Sequence, residues 1–327
     1  MSIGSCEQEP FLILPSCKSG LFHEKGGRND VSSQITPASV KGTVQKTKVR
    51  HSPKTSYVQK LPVIFASMVV AFTVLCAIFP SLIATSTPTE MDSTALLQGP
   101  GIQHLFGTDH YGRDVFSLVV YGSRESLIVG IASVLVGAVI GGAIGLIAGY
   151  AGGVTEMLLM RFIDILMTLP GILLALTIAA VLGPSTMNVI IAVSISSVPS
   201  YARIMRSQVL SVKSRTFIDA AQAVGTSHAH ILFRHILPNS LSPLLVVGTV
   251  GVGVSILVSS GLSFLGLGSQ GEIPGWGQLL SDGRDYLTVA WWIATFPGLA
   301  ITLLVLSVNL IGDELRDIFD PKISHKR

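Results

Sequence analysis

Residues 217–243 read FIDAAQAVGTSHAHILFRHILPNSLSP, and they set an acid, an arginine and three histidines inside a chain that is otherwise mostly hydrocarbon. On either side the charge vanishes: residues 165–202 and 236–271 contain no Asp, Glu, Lys or Arg. The same holds for 61–89, 126–155 and 286–312. Crossing a hydrocarbon layer of about 30 Å takes about 20 apolar residues, so each window holds at least one span. The window 165–202 has room for two, and Gly183-Pro184-Ser185 supplies a turn between them. Charged residues make up only 13% of the 327 positions, about half the ~25% usual in soluble domains. Mean hydropathy is +0.61. The expectation is an all-α polytopic membrane bundle of six transmembrane helices, near 63–84, 126–149, 157–182, 188–208, 243–265 and 291–312.

Lys and Arg near span ends favour the cytoplasmic side. Nine lie before the first span, five in the segment 203–234 and four after the last span, against Arg113, Arg124 and Arg284 on the alternate segments. Six spans with both termini inside reproduce this split, which puts the insert in the cytosol. Residues 1–60 mix Ser, Thr, Gly, Lys and Pro with one short apolar patch and read as a disordered cytosolic tail. The first long apolar run exceeds a signal-peptide core, so cleavage is not expected. Residues 61–125 then hold the first span and an extracytoplasmic segment, 126–312 the main bundle with its loop 209–238, and 313–327 a cytosolic tail. Cys6, Cys17 and Cys76 match no metal or disulfide spacing. A net charge of +3 from dispersed basic residues points to no nucleic-acid partner.

Gly137, Gly141, Gly145 and Gly149 recur every four residues, and Gly248, Gly251, Ser255 and Ser259 repeat the theme. In lipid such ridges let helix backbones approach closely; they serve packing within the chain, a subunit contact or a pathway face. Arg161 and Asp164 are three apart near the inner end of the third span, spaced to pair or to act in ion coupling. No other ionisable residue is expected deep in a span, which disfavours a carrier powered by an ion gradient.

Within the insert, Thr216-x-x-Asp219 matches a capping box and predicts a helix from Thr216, with Asp219 favoured by the dipole at that end. Gly225 is expected to stop that helix. A second short helix is predicted from Thr226 or Ser227 to Phe233 or His235, halted by Pro238. Apolar Phe217, Ile218, Val224, Ile231 and Leu232 among polar neighbours, with small Ala220 and Ala221, describe a docking knob.

Asp219-Ala220-Ala221, three residues, Gly225, nine residues, then His235-Ile236-Leu237-Pro238 resembles the cytoplasmic loop of binding-protein-dependent ABC importer permeases, E-A-A-x3-G-x9-I-x-L-P. Asp219 stands for the Glu and His235 for the Ile. Both changes are similar to the dipeptide, oligopeptide and nickel branch, as are FGTDHYGRD at 106–114, YGSRESL at 121–127, MRFIDILMTLP at 160–170 and YARIMRSQVL at 201–210, which together resemble its C-type subunit. The resemblance implies half the pore of a type I importer, whose loop seats on one of two cytosolic ATP-binding subunits, beside a homologous second permease and an extracytoplasmic solute-binding protein. It also implies roles: Asp219 caps the coupling helix, Ala220 and Ala221 allow close seating, Gly225 turns the chain, and Leu237 and Pro238 set the exit, with Thr216 and His235 in the same ATPase-coupling segment. ATP would be used by those partners, with no cofactor bound by this chain.

The sequence contains no G-x-x-x-x-G-K-[ST], H-E-x-x-H or G-x-S-x-G, so nucleotide, zinc-protease and serine-hydrolase chemistry have no motif here, and no enzyme activity is expected. His228, His230 and His235 are not a favoured metal set, since they lie on the cytosolic side at the expected ATPase contact with no carboxylate or cysteine to complete it; for His104, Asp109 and His110 surface solvation or loop capping is the expectation. A peptide cargo is the first reading, with nickel or another small solute second and an ion-coupled carrier or non-transporting receptor behind.

Overall fold

The computed structural model describes residues 57–269 and 271–319. The predicted tail 1–60 lies outside these residues except for its last four, which already belong to a helix; the tail 313–327 is helical as far as the description reaches. In chain order the helices are α1 (Tyr57–Ile78), α2 (Pro80–Ile83), α3 (Val115–Ala151), α4 (Gly153–Leu166), α5 (Gly171–Leu182), α6 (Thr186–Lys213), α7 (Thr216–Ala223), α8 (His228–His230), a π-turn (Ile231–Ile236), α9 (Leu237–Phe264), α10 (Trp276–Arg284) and α11 (Trp292–Phe319). No strand forms among the described residues beyond the single bridge Thr108–Asp114.

Five of these helices are long and apolar enough to cross a membrane, and the bent pair α4–α5 brings the number to six where it is counted as one broken span. The third expected span, 157–182, is therefore not one straight helix: α4 and α5 meet at 82°. Pro170 carries no amide donor and disfavours helix at Leu169, so α4 unwinds after Leu166 and α5 restarts at Gly171. At Gly183 (φ 85°) the chain reverses into α6, at the expected turn.

The second span also departs from expectation. α3 has 37 residues, about 55 Å at 1.5 Å each, and begins at Val115 rather than 126. Its start is set by Asp114, whose carboxylate accepts from Ser117 N (2.9 Å), Ser117 Oγ (2.8 Å), Thr85 Oγ1 (2.8 Å) and His104 Nδ1 (3.1 Å). Asp109 accepts from Tyr111 N, Arg113 N and Arg113 Nε at 2.7–2.8 Å. The polar 104–114 stretch thus folds into the cap of α3. As a result Glu125 lies ten residues past the start of a long apolar helix, where no ionisable group was expected.

α3 is the hub, touching α1, α6, α9 and α11, and its longest interface is with α6. The Gly137–Gly141–Gly145–Gly149 ridge forms that interface: a Cβ at Gly141 would stand 2.6 Å from Val198 O, and one at Gly149 would stand 2.9 Å from Val209 Cβ. On α9, a Cβ at Gly251 would collide with Tyr201 Oη of α6, and one at Gly248 would make ordinary contact with Val134 of α3 at 3.7 Å. At one end of the bundle, buried Tyr201, Met205, Val209, Val212 and Leu244 form an apolar cluster beneath the 214–236 insert.

Candidate functional site

Only two residues separate α6 from α7, so the insert continues from a rigid helix rather than a loose linker. α7 forms as predicted from Thr216, with Asp219 in its first turn, but the capping box does not: Arg215 holds the N-cap position and no side chain bonds there. The start is fixed by backbone, Ile218 N donating to Arg215 O at 2.9 Å, and by burial of Ile218.

The end of α7 is a Schellman turn. Thr226 N donates to Ala221 O (3.1 Å) and Gly225 N to Gln222 O (2.9 Å), with Gly225 at φ 85°. Ser227 then caps the next helix, its Oγ accepting from His230 N at 3.4 Å. That helix is not halted by Pro238. It passes through the π-turn, where Leu237 N reaches back to Leu232 O, and runs on as α9 with Pro238 in its first turn. The wider turn makes room for the proline ring, and the Asn239 side chain donates to His235 O at 2.6 Å. The two short helices of the sequence reading are thus one short helix and the head of a long one.

Burial sorts the apolar residues by face. Ile218, Ile231 and Ile236 are fully buried in the cluster below, with Ala221 and Leu232 packed against it. Phe217, Val224 and Phe233 face outward, at 40%, 86% and 63% exposure. Asp219, Ala220 and Pro238 are exposed on the same insert, while Leu237 and His235 are half-buried, the His235 ring 5.7 Å from that of His230. The result is a knob with isoleucine roots and an apolar crown.

Its anchorage was not visible in the sequence. Tyr150, at the end of α3, shares a 2.8 Å hydrogen bond between Oη and His228 Nδ1, and Lys213 Nζ donates to Tyr150 O at 2.8 Å. Asp164 pairs with Arg203 at 2.8 Å and not with Arg161; Glu156 pairs with Arg206, so two ion pairs tie α4 to α6. These partners lie 39–78 residues apart, beyond any local pattern. Among the described residues no cluster of three or more metal-ligating side chains occurs.

Residues 141–325, which include the whole insert, match the family described as binding-protein-dependent transport system inner membrane component. The chain belongs to this family. The permease is 46% identical over 264 residues to the dipeptide transport system permease protein DppC of Alkalihalophilus pseudofirmus, covering 81% of this chain and 86% of that one. It is 46% identical over 232 residues to the glutathione transport system permease protein GsiD of Pectobacterium atrosepticum, covering 71% and 77%. A solved chain of the MetNI methionine ABC transporter, in an inward-facing conformation, shares the fold at TM-score 0.52 and 20% identity, over 62% of this chain and 97% of that one. The permease is thus a multi-pass membrane protein of the ABC-importer fold, built for transport rather than for enzymatic chemistry, in a family whose members depend on a binding protein.

Proposed function

We propose that this permease forms half the pore of an ATP-driven importer and carries di- or oligopeptides handed over by an extracytoplasmic binding protein. Two cytosolic ATP-binding subunits use the ATP, a homologous second permease completes the pore, and lipid surrounds both. The insert and both chain ends lie in the cytosol. The observation that carries this reading is the knob: Phe217, Val224 and Phe233 expose apolar surface on a segment whose Ile218, Ile231 and Ile236 are fully buried. An exposed apolar patch on a firmly rooted segment is what a protein partner seats on. Ala220 leaves a low spot for close approach, and Asp219 near the start of α7 adds one charge for orientation. Peptide is favoured over nickel because relatives at 46% identity are named for dipeptide and glutathione transport.

The test is reconstitution in proteoliposomes with the ATP-binding subunits, sister permease and binding protein of the same source. A photo-crosslinker at position 224 should capture an ATP-binding subunit, and labelled dipeptide should accumulate only with ATP. Capture of lipid alone from position 224, or uptake that follows an ion gradient without ATP, would overturn the proposal.

A further inference from the structure

At the bundle end opposite the insert, Glu125 of α3 is half-buried against the start of α6 and the loop joining α9 to α10. Its Oε1 accepts from Thr186 Oγ1 at 3.1 Å. Its Oε2 lies against bare backbone, for a Cβ on Gly275 would stand 2.7 Å from it. Among the described residues no cation pairs with it. Arg124, its neighbour in sequence, lines a separate groove with Ile128 and Leu135. A carboxylate placed in a helix bundle without a counter-charge is costly unless something cationic meets it.

The pocket beside Glu125 is built of acceptors. Ser126 Oγ donates to Gly122 O at 3.1 Å, Ser259 Oγ to Ile256 O at 3.0 Å, and Trp276 Nε1 to Val119 O at 2.7 Å. The two serine protons are committed away from the pocket they line, so each serine oxygen keeps lone pairs free; the Ser269 hydroxyl is directed to the Glu125 carboxylate while its oxygen accepts from Gly271 N at 3.2 Å, and Ser260 and Ser263 add hydroxyls whose protons rotate to suit. The enclosed space is about 20 Å³, enough for one water-sized group. One carboxylate among neutral hydroxyls is too weak a set for a divalent ion, which takes several carboxylate or carbonyl oxygens. An ammonium head is water-sized, carries three donors and no acceptor, and brings the missing charge.

We infer that the Glu125 pocket is a subsite for one water-sized monocation, and that its guest is the α-ammonium of the transported peptide. The identity of the guest rests on the peptide reading above; the cation site does not. The same chemistry would admit a free alkali ion, so the test has two arms. In the first, the intact complex in nanodiscs is melted at constant ionic strength in methylammonium, sodium, potassium or tetramethylammonium chloride. Methylammonium should raise the midpoint of the wild type and not of Glu125→Gln, and tetramethylammonium, too large for the space, should leave both unchanged. No shift with any cation, or equal shifts in the variant, overturns the site; a shift with sodium or potassium but not methylammonium overturns the ammonium assignment. In the second arm, proteoliposomes import a labelled dipeptide or its N-acetyl form. Glu125→Gln should lower uptake of the free-amino peptide roughly tenfold and spare the acetylated one. Gly275→Ala, which displaces the carboxylate without changing its charge, should act in the same sense. Equal losses for both peptides, or none, overturn the assignment. If the wild type moves neither peptide, the peptide reading and the ammonium guest fall together, and the melting arm still decides the cation site.

Discussion

Adding one methyl group at Gly141 should cost this permease more than its size suggests. The new Cβ would stand 2.6 Å from Val198 O, 2.8 Å from Tyr201 Cβ and 3.1 Å from Ala202 N. Carbon contacts relax at about 3.5–4.0 Å, so α6 would have to retreat from α3 by close to 1 Å. Val198 O and Ala202 N are backbone atoms and cannot swing away as a side chain would. Overpacking of this kind costs about 1–3 kcal/mol, and alanine's better helix propensity returns about 0.5–1 kcal/mol, a net of about 0–2.5 kcal/mol; three close contacts, two of them to backbone, put Gly141→Ala in the upper part of that range, at about 1–2 kcal/mol of destabilisation. At about 1.5 °C per kcal/mol for a chain of 327 residues, the melting midpoint of the purified protein should fall by about 1.5–3 °C. Gly248→Ala is the matched control. Its Cβ would meet only Val134 Cγ1, at 3.7 Å, and it should be neutral or slightly stabilising. Thermal melts in one detergent, with ATP-driven uptake measured alongside, compare the two. A Gly141→Ala protein that melts with the wild type, or falls no further than Gly248→Ala, would refute the close-packed ridge.

Gly225 stands in open space, so its substitution tests backbone strain alone. At φ 85°, alanine should cost about 1–2 kcal/mol and asparagine less, and ATP-driven uptake should rank wild type, Gly225→Asn, Gly225→Ala. The double change Val224→Ser with Phe233→Ser removes only exposed apolar surface, so the melt should hold while uptake drops about tenfold; unchanged uptake would show that the crown seats on nothing. Asp282, on α10 outside the membrane-crossing helices, has its carboxyl raised above the ordinary 3.8, first by burial and in the same sense by the nearby Asp109 carboxylate, against Gln278, His110 and Arg113. A raised acid stabilises the fold fully below the unfolded value and loses that contribution as pH rises through the folded one. Asp282→Asn should therefore melt above the wild type at pH 7.5, and the gap should close as pH falls towards 4; a gap that widens on acidification would contradict the sign.

The bundle was legible in the sequence wherever the signal was local. Charge-free windows mark the long helices, and Gly183-Pro184-Ser185 marks a reversal that the chain makes. The reading failed where one residue type serves two geometries. Pro238 reads as a stop, yet proline is tolerated in the first turn of a helix, and the wider π-turn before it leads straight into one. Pro170, read as interior to a span, bends it by 82° because no such relief precedes it. Thr216 matched a cap by spacing, while the actual cap residue lies one position earlier and bonds through its backbone. In the insert, alternation alone could not assign faces; Ile218 points in and Phe217 out because the cluster on α6 and α9 lies to one side. Tyr150 carried no signal, since its partners Lys213 and His228 are remote in sequence.

That long-range anchorage bears on how a push at the crown would travel. α7 follows α6 after two residues, and α8 runs without a break into α9, so the insert is the corner where two crossing helices meet. Ile218, Ile231 and Ile236 fuse the corner to Val209 and Val212 on α6 and to Leu244 on α9. Tyr150 ties it to the end of α3, and the Arg203–Asp164 and Arg206–Glu156 pairs bring α4 along. A block joined on four sides resists local bending, so strain runs to its weakest borders. Those are Pro199 inside α6, Pro243 inside α9 and the Gly152–Gly153 joint between α3 and α4, where both glycines sit at positive φ and neither has neighbours closer than 4.0 Å where a Cβ would stand. Each border lacks either a backbone donor or a packed neighbour. On the proposed seating of a partner at Phe217, Val224 and Phe233, load applied there would therefore pass through the insert to these borders within the bundle.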